Sequence, residues 1–104
     1  MHDGLQSDGR YADVFVNSRI ARGYGAQWIR QALRQRGVAG AEDSLKEIDW
    51  DEHILRVYTR KYRDMSVPTD RPELASRQRF LLGRGFTGDQ IRRLFRRLND
   101  HGED

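Results

Sequence analysis

The five residues RGVAG, Arg36 to Gly40, return as RGFTG at Arg84 to Gly88, 48 positions further on. Each copy follows a helix-patterned segment with a leucine at the matched step, Leu33 and Leu81, and each precedes another amphipathic segment. Upstream, Tyr11 and Phe15 are matched by Tyr58 and Tyr62 at an offset of 47. A glycine just past a helical run stops a helix by accepting a left-handed backbone, so the repeated element is a helix end. The repetition predicts an all-α chain of two tandem three-helix units, about six helices in an elongated, curved arrangement. The units are expected over residues 10–49 and 50–100 of a single helical domain, 1–104.

With 104 residues the chain fits one domain. Its 37% hydrophobic and 34% charged residues suit helices with one wet face. No apolar run approaches the roughly 20 residues that span a bilayer, so no membrane association is expected. Cysteine is absent and MHDGLQSDGR lacks the regions of a secretory signal, from which a cytoplasmic address is expected.

The first helix is expected to start after Asp8 as cap and run to Arg22, with Tyr11, Ala12, Phe15, Val16 and Ile20 on one broad face. Arg19 falls inside that face. Its stem lies over the core with the head in water, or it pairs with an acid, or it makes a functional contact. Gly23 is read as a left-handed helix stop with Tyr24 packed over the corner, and Gly25 as the point of a close approach before helix two. Helix two spans about Ala26 to Arg36, with Trp28, Ile29, Ala32 and Leu33 facing the core, and Gly37 ends it. A weaker third helix is marked by Leu45 and Ile48 over about Ala41 to Ile48. Asp49 to Glu52 resembles a capping box for a helix reaching about Asp64, with Glu52 turning back to the helix start. Asp70-Arg71-Pro72-Glu73 is a second box, for a helix to Leu82, and Thr87 to Gln90 a third. After the third box, Ile91, Leu94, Phe95 and Leu98 recur at i, i+3, i+4 and i+7.

Seventeen of the 19 basic residues are arginine, whose planar fork suits phosphates and carboxylates. Residues 10–37 carry six arginines against Asp13, and residues 54–98 carry twelve basic against four acidic side chains. Residues 40–53 between them hold six acids and Lys46, an acidic connector between basic segments. Arg30 with Arg34, Arg56 with Arg60, and Arg92, Arg93, Arg96 and Arg97 point away from the expected core. Only Asp89 and Asp100 lie near the last four in sequence, so an anionic partner, DNA phosphate or an acidic protein surface, is expected. Tyr24 is a further contact candidate, by stacking on a base or on a protein. Arg19, Gly23, Gly25, Gly37 and Gly85 are expected to be structural.

No enzyme signature emerges. The histidines His2, His53 and His101 form no i, i+4 metal pair, and His53 beside Glu52 reads as solvated. No serine has the context of a nucleophile elbow, and Gly23-Tyr24-Gly25 is too short for a phosphate loop. No cofactor or metal is expected.

The stretch LQSDGRYADVFVNSRIARGYGAQWIRQALRQRGV, Leu5 to Val38, resembles the central motif of the RecX family of regulatory proteins. The resemblance rests on the Asp and Arg before an aromatic-Ala pair, Ser18-Arg19, the Gly-Tyr-Gly turn, an Ile and the Leu-x-x-x-Gly-aliphatic ending. RFLLGRGFTGDQIRRLFRRL, Arg79 to Leu98, is similar to that family's last repeat. Members usually have three such repeats, and this sequence begins at the junction after the first. The resemblance implies a regulator that binds the filament of the RecA recombinase on single-stranded DNA and inhibits its strand exchange, ATP hydrolysis and co-protease activity, modulating DNA repair and the SOS response. It also implies contacts with single-stranded and double-stranded DNA, here as a monomer. Arg30, Arg34, Arg56, Arg60, Arg92, Arg93, Arg96, Arg97 and Tyr24 would then meet the filament or its DNA. A helix-turn-helix protein binding DNA without the recombinase is the alternative. Its recognition helix offers almost only arginine, which disfavours base-specific reading.

Overall fold

Three helices of this chain end in the same way, on Arg-Gly followed by an apolar residue. The computed structural model describes the backbone of residues 3–102 and the side chains of residues 9–100. Its elements are α1 (Asp3–Ala21), α2 (Ala26–Gln35), α3 (Glu42–Lys46), α4 (Trp50–Tyr62), α5 (Arg71–Gly83) and α6 (Gly88–Gly102). No strand occurs among the described residues. After α1, α2 and α5 come Arg22-Gly23-Tyr24, Arg36-Gly37-Val38 and Arg84-Gly85-Phe86, with glycine φ values of 88°, 72° and 103°. In each, the apolar residue's N–H reaches the carbonyl five back: Tyr24 to Arg19, Val38 to Leu33 and Phe86 to Leu81, at 3.0–3.1 Å. The glycine's own N–H reaches the carbonyl three back. This is the Schellman arrangement, which satisfies otherwise orphaned carbonyls. The RGVAG and RGFTG repeat is therefore a repeated helix stop, and Arg-Gly-Tyr is a third copy.

Helix starts follow the capping signals with one full box and two half boxes. Thr87 and Gln90 exchange both bonds, Gln90 N to Thr87 Oγ1 at 3.1 Å and Thr87 N to Gln90 Oε1 at 2.8 Å. Asp49 and Asp70 accept from the N–H groups of Glu52 and Glu73. Neither glutamate turns back as the box pattern predicts; each binds an arginine, Arg97 and Arg77 respectively, because an ionised donor makes the stronger bond.

Several boundaries differ from the sequence expectation. Helix α1 already runs at Asp3, so Asp8 lies inside it and does not cap it. A cap residue acts only where the chain upstream leaves the helical region. Helix α3 is a single short turn-and-a-half, Glu42–Lys46. Helix α4 stops at Tyr62, before Asp64, because Arg63 takes the left-handed conformation (φ 57°) and the Asp64 carboxylate accepts from Ser66 N–H at 3.0 Å. That local bond competes with continuing the helix.

Two hydrophobic clusters lie along the molecule. Ala12, Phe15, Val16, Ile29, Leu33 and Leu45 join α1, α2 and α3. Ile54, Tyr58, Leu81, Phe86, Leu94 and Leu98 join α4, α5 and α6. Trp50 packs against both, and its indole N–H donates to Leu45 O at 3.0 Å. The result measures 57 × 25 × 21 Å with a radius of gyration of 15.9 Å; a compact domain of this length would have about 13 Å. The two units are thus stacked end to end.

Candidate interaction surface

The seam between the units is built from backbone. Gly25 N–H, at the start of α2, donates to Arg84 O at 2.6 Å, and Gln27 N–H donates to Gly85 O at 3.0 Å. Orphan donors of one helix start thereby meet orphan carbonyls of another helix's end. A side chain at either glycine would collide: a Cβ on Gly25 would lie 2.6 Å from Gly85 backbone atoms, and one on Gly85 would lie 2.5 Å from Trp28 N. The close approach anticipated at Gly25 is an approach to Gly85.

Arg84 completes the seam. Its Nη2 donates to Arg22 O at 2.6 Å, and its guanidinium lies 4.3 Å from the Tyr24 ring centroid and 5.7 Å from that of Phe80. Its Nε is buried without a hydrogen-bond partner. Tyr24 also stacks on Trp28, centroids 3.9 Å apart, so its ring is engaged within the chain. His53 is buried, not solvated as its neighbour Glu52 suggested, and its Nε2 donates to Tyr24 O at 2.9 Å. The ring meets Trp50 and Phe86. Burial pushes its pKa below the usual histidine value, and Arg56 adds to that effect. His2 and the side chain of His101 lie outside the described residues. Among the described residues no group of three potential metal ligands converges.

Beside the seam a cleft of about 470 Å³ opens between the end of α1, the face of α4 and the end of α5. Arg22, Arg56, Arg60, Lys61 and Arg84 line it, over Ile20, Val57 and Phe80. No carboxylate is among the lining residues. Arg56 and Arg60, one helical turn apart, come from the sequence expectation. Arg22, Lys61 and Arg84 do not. Arg22 and Arg84 could have been found from their position before a helix-stopping glycine, which puts both side chains at helix ends.

The remaining expected contact residues divide by their partners. Arg30 pairs with Glu42 at 2.9 Å, and that bond holds the Glu42 carboxyl below its ordinary pKa. Arg93 reaches Asp51 at 3.2 Å and Arg97 reaches Glu52 at 3.3 Å, both from α6 to α4, and Arg92 pairs with Asp89. Two of the four α6 arginines are thus compensated by the first turn of α4, 42 and 45 residues away in sequence, a neighbour that local spacing did not reveal. Arg34 and Arg96 are exposed, and no carboxylate among the described residues is recorded as their partner. Arg19 donates to Ser18 Oγ and sets its guanidinium over the Phe15 ring at 4.3 Å, so the head packs on the chain where the expectation had the stem packed and the head in water, and its hydrogen bond goes to a neighbouring hydroxyl.

No helix among the described residues is long and apolar enough to cross a membrane. Two family models match the chain: the RecX second three-helix domain over residues 7–42 and the RecX third three-helix domain over residues 47–95. The regulatory protein RecX of Halorhodospira halophila is 46% identical over 94 residues, covering 86% of this chain and 58% of that protein. That of Ectopseudomonas mendocina is 42% identical over 98 residues, covering 90% of this chain and 65% of its own length. The Pseudomonas savastanoi pv. phaseolicola protein is 41% identical over 108 residues, covering all of this chain and 67% of its own. The chain therefore spans about three fifths to two thirds of the curated relatives' length. No solved structure gives a significant match. With both three-helix units matched in order and relatives above 40% identity along nearly its whole length, the chain belongs to the RecX family of regulatory proteins.

Proposed function

We propose that this chain regulates the RecA recombinase in the cytoplasm, binding the RecA filament on single-stranded DNA and inhibiting its ATP hydrolysis, strand exchange and co-protease activity. The observation that carries the reading is the match of both units to consecutive three-helix domains of RecX. The physical features agree with it. An elongated body of 57 Å offers arginines along its length, a form suited to lying in a groove, and electrostatic attraction to an anionic filament would steer it there. Residues 10–49 and 50–100 act as the two repeat units, docking together as a monomer without a cofactor. Arg34, Arg56, Arg60 and Arg96 are the leading contact residues. Arg30, Arg92, Arg93 and Arg97 contribute to the same basic surface from within ion pairs, and Tyr24 contributes through the shape of the seam.

The test is the single-stranded-DNA-dependent ATP hydrolysis of a bacterial RecA, measured while this chain is titrated in. Inhibition is expected, and reversal of Arg34 and Arg96 to glutamate should weaken it while leaving the helical circular dichroism unchanged. These two positions are better probes than Arg93 and Arg97, whose reversal would set like charges across the α4 and α6 contact. Hydrolysis unaffected by a folded wild-type chain at any concentration would refute the proposal.

A further inference from the structure

We propose that His53 is a proton-operated latch on the joint between the two three-helix units: uncharged, it holds the seam closed, and on taking up a proton it releases it. The inference goes beyond the regulatory reading and does not rest on it.

Little besides polar contacts holds the joint. Every extensive packing of one helix on another, α1 with α2 and α3, and α6 with α4 and α5, lies inside a single unit. Among the described residues Trp50 is the one hydrophobic side chain that packs against both cores. Across the seam run the bonds of Gly25 and Gln27 to the carbonyls that close α5, the Arg84 bond to Arg22 O, the Trp50 bond to Leu45 O, and the bond of His53. Units joined without a large apolar interface move relative to one another unless specific contacts hold them.

His53 is the member of this set whose charge changes near neutral pH. It stands on α4 of the second unit, 8% exposed, and bonds Tyr24 O of the first unit at 2.9 Å. A carbonyl only accepts, so the neutral ring carries its proton on Nε2. The Trp50 and Phe86 rings flank it, centroids 5.7 and 5.5 Å away.

The charged groups that share its cleft are all cationic. The end of α1 brings Arg22, the end of α5 brings Arg84, and α4 itself brings Arg56, Arg60 and Lys61, with no carboxylate in the lining. The turn before α6 meets the ring through Phe86, which carries no charge. Tyr24 offers its carbonyl, while its phenol ring is stacked between Trp28 and Arg84. The acids nearest in the chain are engaged elsewhere: Asp49 accepts from Glu52 N–H, and Asp51 and Glu52 are bound by Arg93 and Arg97 of α6. A proton on His53 thus places a charge in a poorly hydrated site among cations, with one carbonyl to meet it. Burial and Arg56 both disfavour the charged ring, and the bond to Tyr24 O opposes them. Parting of the seam exposes the ring to water and moves Arg22 away. The open joint therefore binds the proton more tightly than the closed one, and acid shifts the population towards it. The latch is complete above the ordinary histidine pKa and is lost as the pH falls towards that of the closed state.

The experiment is backbone amide exchange by NMR from about pH 7.5 to about pH 5.5, expressed as protection factors so that the intrinsic pH dependence of exchange is removed. Gly25 and Gln27 report the seam, because their bonds cross it. Leu33 and Leu94, buried within α2 and α6, report unfolding. Protection at Gly25 and Gln27 should be lower than at Leu33 and Leu94, and should fall below about pH 6.5 by at most about tenfold per pH unit before levelling off. The ring nitrogens of His53 should show the Nε2–H tautomer at neutral pH and titrate over the same range. In His53→Gln, whose amide still offers a donor to Tyr24 O, the pH dependence should vanish, whereas His2→Gln with His101→Gln should retain it. Urea unfolding of each variant at neutral pH reports whether the fold is kept. Seam amides that exchange only as slowly as Leu33 and Leu94 would overturn the proposal, because the joint would then open only by unfolding. Protection that ignores pH, or a response that survives in folded His53→Gln, would do the same. Two further results need no variant and are equally fatal: a neutral ring protonated on Nδ1, and a loss of seam protection that continues after the ring is fully protonated.

Discussion

Gly85 carries two constraints that no other residue type meets together, a φ of 103° and a Trp28 backbone nitrogen where its Cβ would be. Alanine there should cost about 3 kcal/mol or more, from left-handed strain plus overpacking, read as a fall in the urea midpoint with an unchanged slope. Two other glycines sharpen the claim. Gly37 has φ 72° but open space around it, so alanine should cost only about 1–2 kcal/mol. Gly83 lies inside the last turn of α5 with nothing within 4 Å of a new Cβ, and alanine should stabilise by about 0.4–1 kcal/mol. A uniform response of the three would contradict the seam geometry. His53 supplies a pH signature at the same place. Its folded pKa is lowered from 6.5, mainly by burial, so below pH 6.5 the unfolded chain takes up the proton more readily than the folded one. Stability from this group is complete above that value and is lost as the pH falls towards the folded pKa. The thermal midpoint should fall as the pH drops below about 6.5, and His53→Gln should flatten that part of the profile.

At the level of elements, the helix stops and starts were the most readable part of the chain. Left-handed positions favour glycine and capping positions favour Asp or Thr, so Gly23, Gly37, Asp49, Asp70 and Thr87 announce their roles locally, whereas Arg63 reaches the left-handed region with no such signal. Replacing Thr87 by alanine removes the acceptor for Gln90 N–H at the start of α6 and should cost about 1 kcal/mol by thermal or urea unfolding. What local reading could not supply is the partner across space. Glu52 was assigned to its own helix start and is instead bound by Arg97 of α6. His53 was set on the wet side by its neighbour, although it stands i+3 from Trp50 and i−4 from Val57, both on the apolar side of α4. The α1 start was placed too late because Asp8 has a capping side chain at a position where the chain is already helical. The cleft was half legible: Arg56 and Arg60 follow from the helical period and Arg22 and Arg84 stand before helix-stopping glycines, whereas the meeting of all four with Lys61 in one recess follows only from the three-dimensional arrangement.

Over the whole molecule, two small cores with a shared Trp50 would by themselves permit the units to pivot. Four hydrogen bonds into backbone carbonyls across the seam, from Gly25, Gln27, Arg84 and His53, oppose that motion. The distance between the basic surfaces of the two units is therefore a built-in length, a fixed rule to lay against an extended partner. In the regulatory reading that partner is the recombinase filament. The most direct measurement is co-sedimentation of this chain with RecA filaments assembled on single-stranded DNA with a slowly hydrolysed nucleotide, alongside naked DNA and recombinase alone. The account predicts that the chain pellets with the filament to saturation, and that a variant retaining its helices but with the seam loosened by Gly85→Ala pellets less. A folded wild-type chain that remains in the supernatant with the filament would contradict it.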